Sequence, residues 1–157
     1  MKTFIYRFAE LLLILLILST ACYAFYQSSL PPKESAQESD KVGEIIGEII
    51  PPQTPPGQYL QKNLRKLAHF TEFFFLGLWS SLFVFIYLKK KWAYISLVPF
   101  GFFIAFIDET VQIFSKRGPS VQDMWIDIFG YSSAVAVVLL SLCILLFVRF
   151  ILDRIYA

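Results

Sequence analysis

Four long apolar segments constrain the fold of this chain more strongly than any other feature of its sequence. They cover residues 4–26, 65–88, 92–114 and 124–150. About 20 predominantly apolar residues suffice to cross the hydrocarbon core of a bilayer as an α-helix. Because lipid offers no partners to backbone polar groups, each segment must pair them internally, as a helix does. The sequence therefore predicts an all-α membrane protein with four transmembrane helices in an antiparallel bundle.

The overall composition agrees with a membrane protein and argues against a nucleic-acid-binding one. Hydrophobic residues make up 57% of the chain and charged residues 17%, which is more apolar than a typical soluble domain. The net charge is only +2, and no basic stripe with interleaved aromatic residues is present. We therefore expect the lipid bilayer as a partner and no nucleic acid.

The two cysteines, Cys22 and Cys143, fall in apolar segments whose order along the chain places them in opposite leaflets. Their Cα atoms are then too far apart for a disulfide bond. We expect both cysteines to be small, buried hydrophobic residues.

The first 26 residues have two interpretations. Lys2 and Arg7 precede an apolar core, as in a cleaved signal peptide. However, Ser19 precedes Cys22 at the position where a lipoprotein cleavage site carries an aliphatic residue, and the apolar run continues past the cysteine. We therefore favour an uncleaved first transmembrane helix over residues 1–26, resembling a signal anchor.

Residues 27–64 are predicted to form an extracytoplasmic, proline-rich loop of about 40 residues between the first and second transmembrane helices. Its prolines lie at positions 31, 32, 51, 52, 55 and 56. The tetrapeptide Gly-Glu-Ile-Ile occurs twice in succession over residues 43–50. This repeat is compatible with a short amphipathic helix whose isoleucines lie against the membrane surface, or with a flexible loop.

The distribution of lysine and arginine predicts the orientation of the spans, because short cytoplasmic loops are enriched in both. The two sides carry equal numbers of these residues, but the tight turn at Lys89, Lys90 and Lys91 favours its side as cytoplasmic. We therefore expect a multi-pass protein of the cell membrane with both termini in the cytoplasm, where residues 151–157 form a short tail.

Polar residues concentrate at one face of the predicted bundle. In an antiparallel arrangement the starts of the second and fourth spans meet the end of the third span at this face. With a rise of about 1.5 Å per residue, all the polar residues lie at a similar depth in the membrane. Charged groups in the hydrocarbon region are energetically costly and are usually retained for a site. The predicted site faces outward and comprises Lys66, His69, Glu72, Asp108, Glu109, Gln112, Arg117, Asp123 and Asp127.

Small residues continue one edge of this site into the membrane. Asp123, Asp127, Gly130 and Ala134 form one stripe along the fourth span at helical spacing. Small side chains at such a stripe allow two helices to approach closely. We therefore expect close helix packing directly beneath the polar cluster.

At these residues the chain resembles the VanZ-like family over residues 60–140. The matching motifs are Lys66-Leu-Ala-His69-Phe70-Thr-Glu72-Phe73, Asp108-Glu109-Thr-Val-Gln112-Ile-Phe114, and Arg117 followed by Asp123, Asp127 and Gly130. Lys116 stands where the family commonly has glycine. The resemblance implies a small multi-pass membrane protein with a three-helix core over residues 65–150. It also implies a link to low-level teicoplanin resistance, but it supplies no reaction and no substrate.

The favoured function is binding of a cell-envelope lipid or a glycopeptide head group. Carboxylates accept hydrogen bonds from sugar hydroxyls or ammonium groups, whereas Arg65 and Arg117 are suited to a phosphate or carboxylate. This function requires no cofactor, and it would contribute to glycopeptide resistance by changing how the drug reaches the membrane surface.

Two alternatives remain open. In a membrane-embedded hydrolase or transferase acting on an envelope lipid, His69 would be the general base, oriented by Glu72. A divalent cation would then be held by Asp108, Glu109, Asp123 and Asp127. The absence of a recognised nucleophile motif makes a non-enzymatic protein the preferred interpretation. In the third interpretation, the polar residues only join the helices, with Asp123 serving as a helix cap.

Overall fold

Helices account for nearly all of the structure. The computed structural model describes residues 2–88, 91–118 and 120–156, and no strand occurs in these ranges. The five helices are α1 (Lys2–Ser29), α2 (Pro32–Ile49), α3 (Pro55–Phe83), α4 (Lys91–Phe114) and α5 (Val121–Ile155). A π-helical segment, Val84–Leu88, continues α3. Helices α1, α3, α4 and α5 are long and apolar enough to cross a membrane, which confirms the predicted all-α membrane fold with four spans.

Two of the helices begin at prolines that the sequence analysis placed in a loop. Pro32 is the first residue of α2, and Pro55 is the first residue of α3. Proline is tolerated in the first turn of a helix because its missing N–H has no partner within the helix there. The Thr54 side chain caps α3 by accepting a hydrogen bond from the Gly57 N–H at 3.3 Å. Helix α3 therefore begins well before the predicted start at residue 65.

Helix α2 contains the Gly-Glu-Ile-Ile repeat, which confirms the helical alternative for this segment. Its Gly43 faces α3, where the Gln61 side chain donates to the Gly43 carbonyl at 3.4 Å. Ile45 and Ile49 remain exposed. Exposed aliphatic residues on a helix with a charged opposite face are typical of a helix at the membrane interface. Helix α2 thus lies against α3 and presents its isoleucines outward.

The other spans also differ from the predicted bounds. Helix α1 continues to Ser29, and α5 covers Val121–Ile155 rather than 124–150. The Ser120 hydroxyl caps α5 by accepting from the Asp123 N–H at 3.2 Å. The residues predicted as a cytoplasmic tail therefore mostly continue α5. In the predicted tight turn between the second and third spans, Lys89 and Lys90 lie outside the described residues.

The cysteines agree with the sequence analysis in one respect only. Cys22 and Cys143 are both free, as expected. Both are exposed on the protein surface, so the expectation that they are buried is wrong. A small apolar side chain on a lipid-facing surface needs no burial inside the protein, because the lipid itself is apolar.

Consecutive spans run in opposite directions. At one end of the molecule the Tyr87 hydroxyl, in the π-helical continuation of α3, donates to the Tyr6 carbonyl of α1 at 2.8 Å. Helices α4 and α5 are joined by a short connection, and the Phe100 and Tyr131 rings face each other with their centroids 6.3 Å apart. The ends of α1 and α4 therefore meet the start of α5 and the middle of α3, around Arg65 and His69, at one face.

The most extensive interface is formed by α3 and α5, which run in parallel. A Cβ atom on Gly130 would collide with the Phe70 carbonyl oxygen, and a Cβ atom on Gly77 would collide with the Tyr131 carbonyl oxygen. Ala134 of α5 is fully buried. These contacts confirm the predicted close packing along the stripe of small residues, and they bring the two backbones together directly beneath the polar face.

We predict that Gly130→Ala destabilises the protein by at least about 1 kcal/mol, because overpacking a close contact typically costs 1–3 kcal/mol. The measurement is thermal or denaturant unfolding of the purified protein in detergent. Gly118→Ala is the matched control, because a Cβ atom on Gly118 meets nothing within 4 Å. Equal stability of the two variants would contradict the close helix contact.

Candidate functional site

Three side chains from three different helices meet at the centre of the polar face. The His69 Nδ1 of α3 lies 3.4 Å from the Asp127 Oδ1 of α5 and 3.8 Å from the Asp108 Oδ2 of α4. His69 is 5% exposed, and Asp108 and Asp127 are 0% exposed. Asp127 lies one helical turn before Gly130, so the close approach of α3 and α5 places its carboxylate beside His69.

Helix α1 contributes a residue that the sequence analysis did not identify. The Ser28 hydroxyl, which is fully buried, donates to the Asp108 Oδ2 at 2.7 Å. A second bond joins the same helices, because the Ser115 hydroxyl after α4 donates to the Ser28 carbonyl at 3.0 Å. The Ser28 hydroxyl thus holds the Asp108 carboxylate in position from a helix outside the predicted three-helix core.

Gln112 connects most of the remaining polar groups. Its side-chain N–H groups donate to the Asp108 Oδ2 and to the Glu109 Oε1, each at 3.1 Å. Its side-chain carbonyl oxygen accepts a hydrogen bond from the Arg65 Nη2 at 2.9 Å. The other oxygen of Glu109 accepts from the Ser120 N–H at 2.8 Å. Gln112 is itself fully buried, so it links α3, α4 and the start of α5 without contact with solvent.

Arg117 caps the C-terminal end of α1. Its Nη1 donates to the Gln27 carbonyl at 3.0 Å and to the Leu30 carbonyl at 3.4 Å. A cation at a helix C-terminus is favourable, because the last carbonyl groups carry partial negative charge. Burial lowers the pKa of the Arg117 guanidinium from its ordinary value, and the positive charge of Arg65 lowers this pKa further. An arginine nevertheless stays charged at neutral pH, so two cations lie at the edge of the site.

The turn after α4 has a strained residue. Lys116 has a φ of 60°, in the left-handed region that favours glycine. Its N–H donates to the Ile113 carbonyl at 3.2 Å, and the Arg117 N–H donates to the Gln112 carbonyl at 3.1 Å. This pair of bonds is the usual helix C-terminal motif in which glycine occupies the left-handed position. The family resemblance places glycine at the same position, and Lys116 adopts the left-handed conformation there at some cost in strain.

A cavity of about 120 Å³ opens above these residues. His69, Glu72, Arg65 and Arg117 line its inner part, and α2 covers it. The α2 residues that line the cavity are Ser35, Glu38, Ser39 and Val42, and α1 adds Tyr23 and Gln27. Helix α2, which lies in the segment predicted as an extracytoplasmic loop, therefore forms one wall of the cavity.

Several buried polar atoms in and around this cavity lack hydrogen-bond partners among the described residues. They are the Nε atoms of Arg65 and Arg117, His69 Nδ1, Glu72 Oε2, Asp108 Oδ1 and both carboxylate oxygens of Asp127. Buried polar atoms in folded proteins are nearly always paired. A concentration of unpaired donors and acceptors around one cavity therefore makes it a candidate ligand-binding site.

A comparison with protein-family models supports the resemblance found in the sequence. The model of the VanZ/LLP1 family matches residues 11–148. The chain belongs to the VanZ/LLP1 family. The match begins within α1, so the family core includes the helix that provides Ser28 and is longer than the three helices expected from the sequence motifs. No match was found among curated proteins or among solved structures.

The structure brings most of the predicted site residues of this VanZ/LLP1 protein together. His69, Asp108, Glu109, Gln112 and Asp127 form the buried cluster described above, and Glu72 and Arg117 line the adjoining cavity. Arg65, which the sequence analysis named only as a candidate anion ligand, belongs to both. Ser28 had no signal in the sequence, because it is one of several hydroxyl residues near the end of an apolar segment.

Two predicted residues lie apart from the cluster. Lys66 faces a groove on the other side of α3, which it lines together with Trp125 and Phe129 of α5. Asp123 is half-buried in the first turn of α5, where its N–H is capped by Ser120. An acidic residue in the first turn is favoured by the helix dipole, so this position stabilises α5.

We predict that Ser28→Ala destabilises this VanZ/LLP1 protein by about 1 kcal/mol, as expected for an interhelical hydrogen bond in a membrane protein. The measurement is unfolding in detergent. Ser29→Ala is the control, because the exposed Ser29 hydroxyl bonds only to the carbonyl of Tyr26 in its own helix. The assignment of Ser28 to the site is wrong if both variants unfold alike.

We also predict that Lys116→Gly stabilises the protein by about 1 kcal/mol, because an L-residue in the left-handed conformation is strained by roughly that amount. Lys116→Ala removes the same charge and keeps the strain, so its stability should match that of the parent protein. The melting temperatures of the three proteins provide the test. A lower melting temperature for Lys116→Gly would contradict the strained turn.

Proposed function

We propose that this VanZ/LLP1 membrane protein binds the anionic head group of a cell-envelope lipid or glycopeptide in the cavity beneath α2. The observation that carries this proposal is the pair of arginines. Arg65 and Arg117 both line the cavity, and each keeps a buried Nε–H group without a partner among the described residues. Guanidinium groups bind phosphate and carboxylate oxygens through several N–H donors at once.

The surroundings of the two arginines support an anionic ligand. The protein groups that these guanidiniums contact through hydrogen bonds are neutral, namely the Gln112 side chain and the carbonyls of Gln27 and Leu30. A buried cation is costly unless it is paired with an opposite charge. A phosphate or carboxylate in the cavity would satisfy both free Nε–H groups and would balance part of the positive charge.

The size of the cavity limits which part of a ligand enters it. An engineered apolar cavity of about 150 Å³ accepts one benzene molecule, whereas this cavity measures about 120 Å³. The cavity therefore admits a phosphate- or carboxylate-sized group, and the remainder of the ligand must lie outside it. Ser35, Ser39 and Glu38 on α2 provide hydroxyl and carboxylate groups in the lining of the cavity, where sugar hydroxyls or an ammonium group would bind.

The proposed site faces the outside of the cell membrane, with both termini in the cytoplasm. This orientation follows from the lysines of the connection between α3 and α4. A head group bound at the outer face lies where glycopeptide antibiotics act. Binding there would reduce the access of a drug such as teicoplanin to its target, and this effect is the proposed contribution to resistance.

A membrane-embedded hydrolase or transferase is the second candidate. It is favoured by the position of Glu72, whose unpaired Oε2 is buried beside His69 in the same cavity. Such a carboxylate is suited to act as a general base toward a bound water or hydroxyl group. Release of inorganic phosphate from a polyprenyl diphosphate by the purified protein, abolished by Glu72→Gln, would make this function the preferred one.

We predict that Arg65→Gln weakens binding of a polyprenyl phosphate at least about tenfold, because a hydrogen bond to a charged group contributes about 1.5–3 kcal/mol. Binding to the purified protein in detergent is measured by native mass spectrometry or by quenching of tryptophan fluorescence. Lys66→Gln is the matched control, because Lys66 is the adjacent cation but faces the groove lined by Trp125 and Phe129. Arg65→Lys, which keeps the charge, should retain part of the affinity.

The same variants connect binding to drug susceptibility in cells. Arg65→Gln should increase teicoplanin susceptibility at unchanged protein abundance, and Lys66→Gln should not. Teicoplanin itself serves as a second probe in the binding assay, which distinguishes a lipid from a glycopeptide as the ligand. If neither probe binds, or if the two charge-removing variants bind equally well, the proposal is wrong.

A further inference from the structure

We propose that His69, Asp108 and Asp127 bind one divalent metal ion beneath the floor of the cavity. Each residue offers one ligand atom, and the three atoms lie within 4.8 Å of one another. The three side chains come from α3, α4 and α5, and all three are buried. The cluster is therefore held in place by three helices rather than by one flexible loop.

The distances agree with metal coordination. The His69 Nδ1 lies 3.4 Å from one Asp127 oxygen and 3.8 Å from one Asp108 oxygen. Ligand atoms at about 2.1 Å from a tetrahedrally coordinated ion lie about 3.4 Å apart. Both separations between His69 and an aspartate oxygen are thus close to the value that an ion requires, and the two aspartate oxygens lie within 4.8 Å of each other.

The unpaired atoms provide an independent argument. Both Asp127 oxygens, one Asp108 oxygen and His69 Nδ1 are buried without hydrogen-bond partners among the described residues. The His69 Nδ1–Asp127 Oδ1 separation of 3.4 Å is an ion-pair distance when the imidazole is protonated, but the contact does not meet hydrogen-bond geometry. His69 Nδ1 and the Asp127 oxygens have free lone pairs in at least one protonation state, and a metal ion would satisfy them. Asp108 Oδ2, the oxygen nearest to His69 Nδ1, would add to this coordination while it accepts from Ser28 and Gln112.

The charge of the cluster points to a divalent ion. A protonated His69 would balance only one of the two carboxylate charges beside it, and an unbalanced charge in a dry environment is strongly unfavourable. A divalent ion neutralises both. The arginines do not serve this purpose, because Arg65 is directed to Gln112 and Arg117 to the end of α1.

The type of ion follows from the donor atoms. One imidazole nitrogen with carboxylate oxygens suits Zn²⁺ or Mn²⁺, whereas a thiolate-free set excludes the soft ions that prefer cysteine. The Ser28 hydroxyl and the Gln112 side chain both hold Asp108 Oδ2. Outer hydrogen bonds of this kind orient metal ligands and strengthen binding.

The metal would also serve the proposed head-group site. Without an ion, the carboxylates of Asp108 and Asp127 would repel an anion bound near His69. An ion at this position removes that repulsion and adds to the attraction of Arg65 and Arg117. This role rests on the proposed function, whereas metal binding itself does not.

The test uses the full chain, purified in detergent with any affinity tag removed and stripped of metal with a chelator. Mn²⁺ binding is measured by electron paramagnetic resonance, and Zn²⁺ binding by elemental analysis after dialysis. We expect one ion per chain. Asp127→Asn should weaken binding by more than about 100-fold, beyond the effect of outer-sphere changes, and Ser28→Ala by about tenfold. Asp123→Asn removes a carboxylate from the same helix and should leave binding unchanged.

A measurement on the parent protein keeps the test decisive if Asp127→Asn does not fold. His69 is the single histidine of the chain, so bound Mn²⁺ should show coupling to an imidazole nitrogen in pulsed spectra. Absence of stoichiometric binding, absence of this coupling, or equal loss in Asp123→Asn would overturn the metal site. Lipid binding is measured separately in the presence of chelator, so failure of the head-group proposal and failure of the metal site give different results.

Discussion

The direct contact between the backbones of α3 and α5 is the interaction on which the rest of the structure depends. Gly130 and Gly77 allow this contact, because any larger residue would meet a carbonyl oxygen of the opposite helix. His69 directly precedes Phe70, whose carbonyl lies against Gly130, and Asp127 lies one turn before that glycine. The distance between the imidazole and the carboxylate is therefore set by backbone packing rather than by attraction between the two side chains.

The polar cluster consists of two parts with different roles. Ser28, Gln112 and Glu109 form hydrogen bonds across helices and turns, and this part resembles the purely structural network considered from the sequence. His69, Asp127 and Glu72 retain unpaired buried atoms, which a network built only for stability would not leave. We therefore propose that the first part joins the helices and that the second part binds the ligand. Asp108 and Arg117 belong to both parts, because each makes hydrogen bonds to another helix and keeps an unpaired buried atom.

The sequence predicted the four spans and the meeting of their polar ends, because segment length and antiparallel order determine both. It did not predict which neighbours face each other. Successive residues on a helix differ by about 100° in direction, so Arg65 lines the cavity whereas Lys66 lines the opposite groove. The role of Ser28 depends on contacts between residues far apart in the chain. The prolines suggested a loop because a proline in the interior of a helix breaks it. A proline in the first turn does not, and the sequence alone did not show that Pro32 and Pro55 begin helices.

The origin of the cluster in successive spans has a consequence for biosynthesis. The residues of the site enter the membrane in the order Ser28, His69, Asp108 and Asp127, each on a separate helix. Until α5 arrives, His69 and Asp108 have no complete set of partners and are exposed to lipid, which is energetically unfavourable. The early helices of this protein are therefore less stable in the bilayer by themselves than in the completed bundle, and arrival of the last span provides the missing stabilisation.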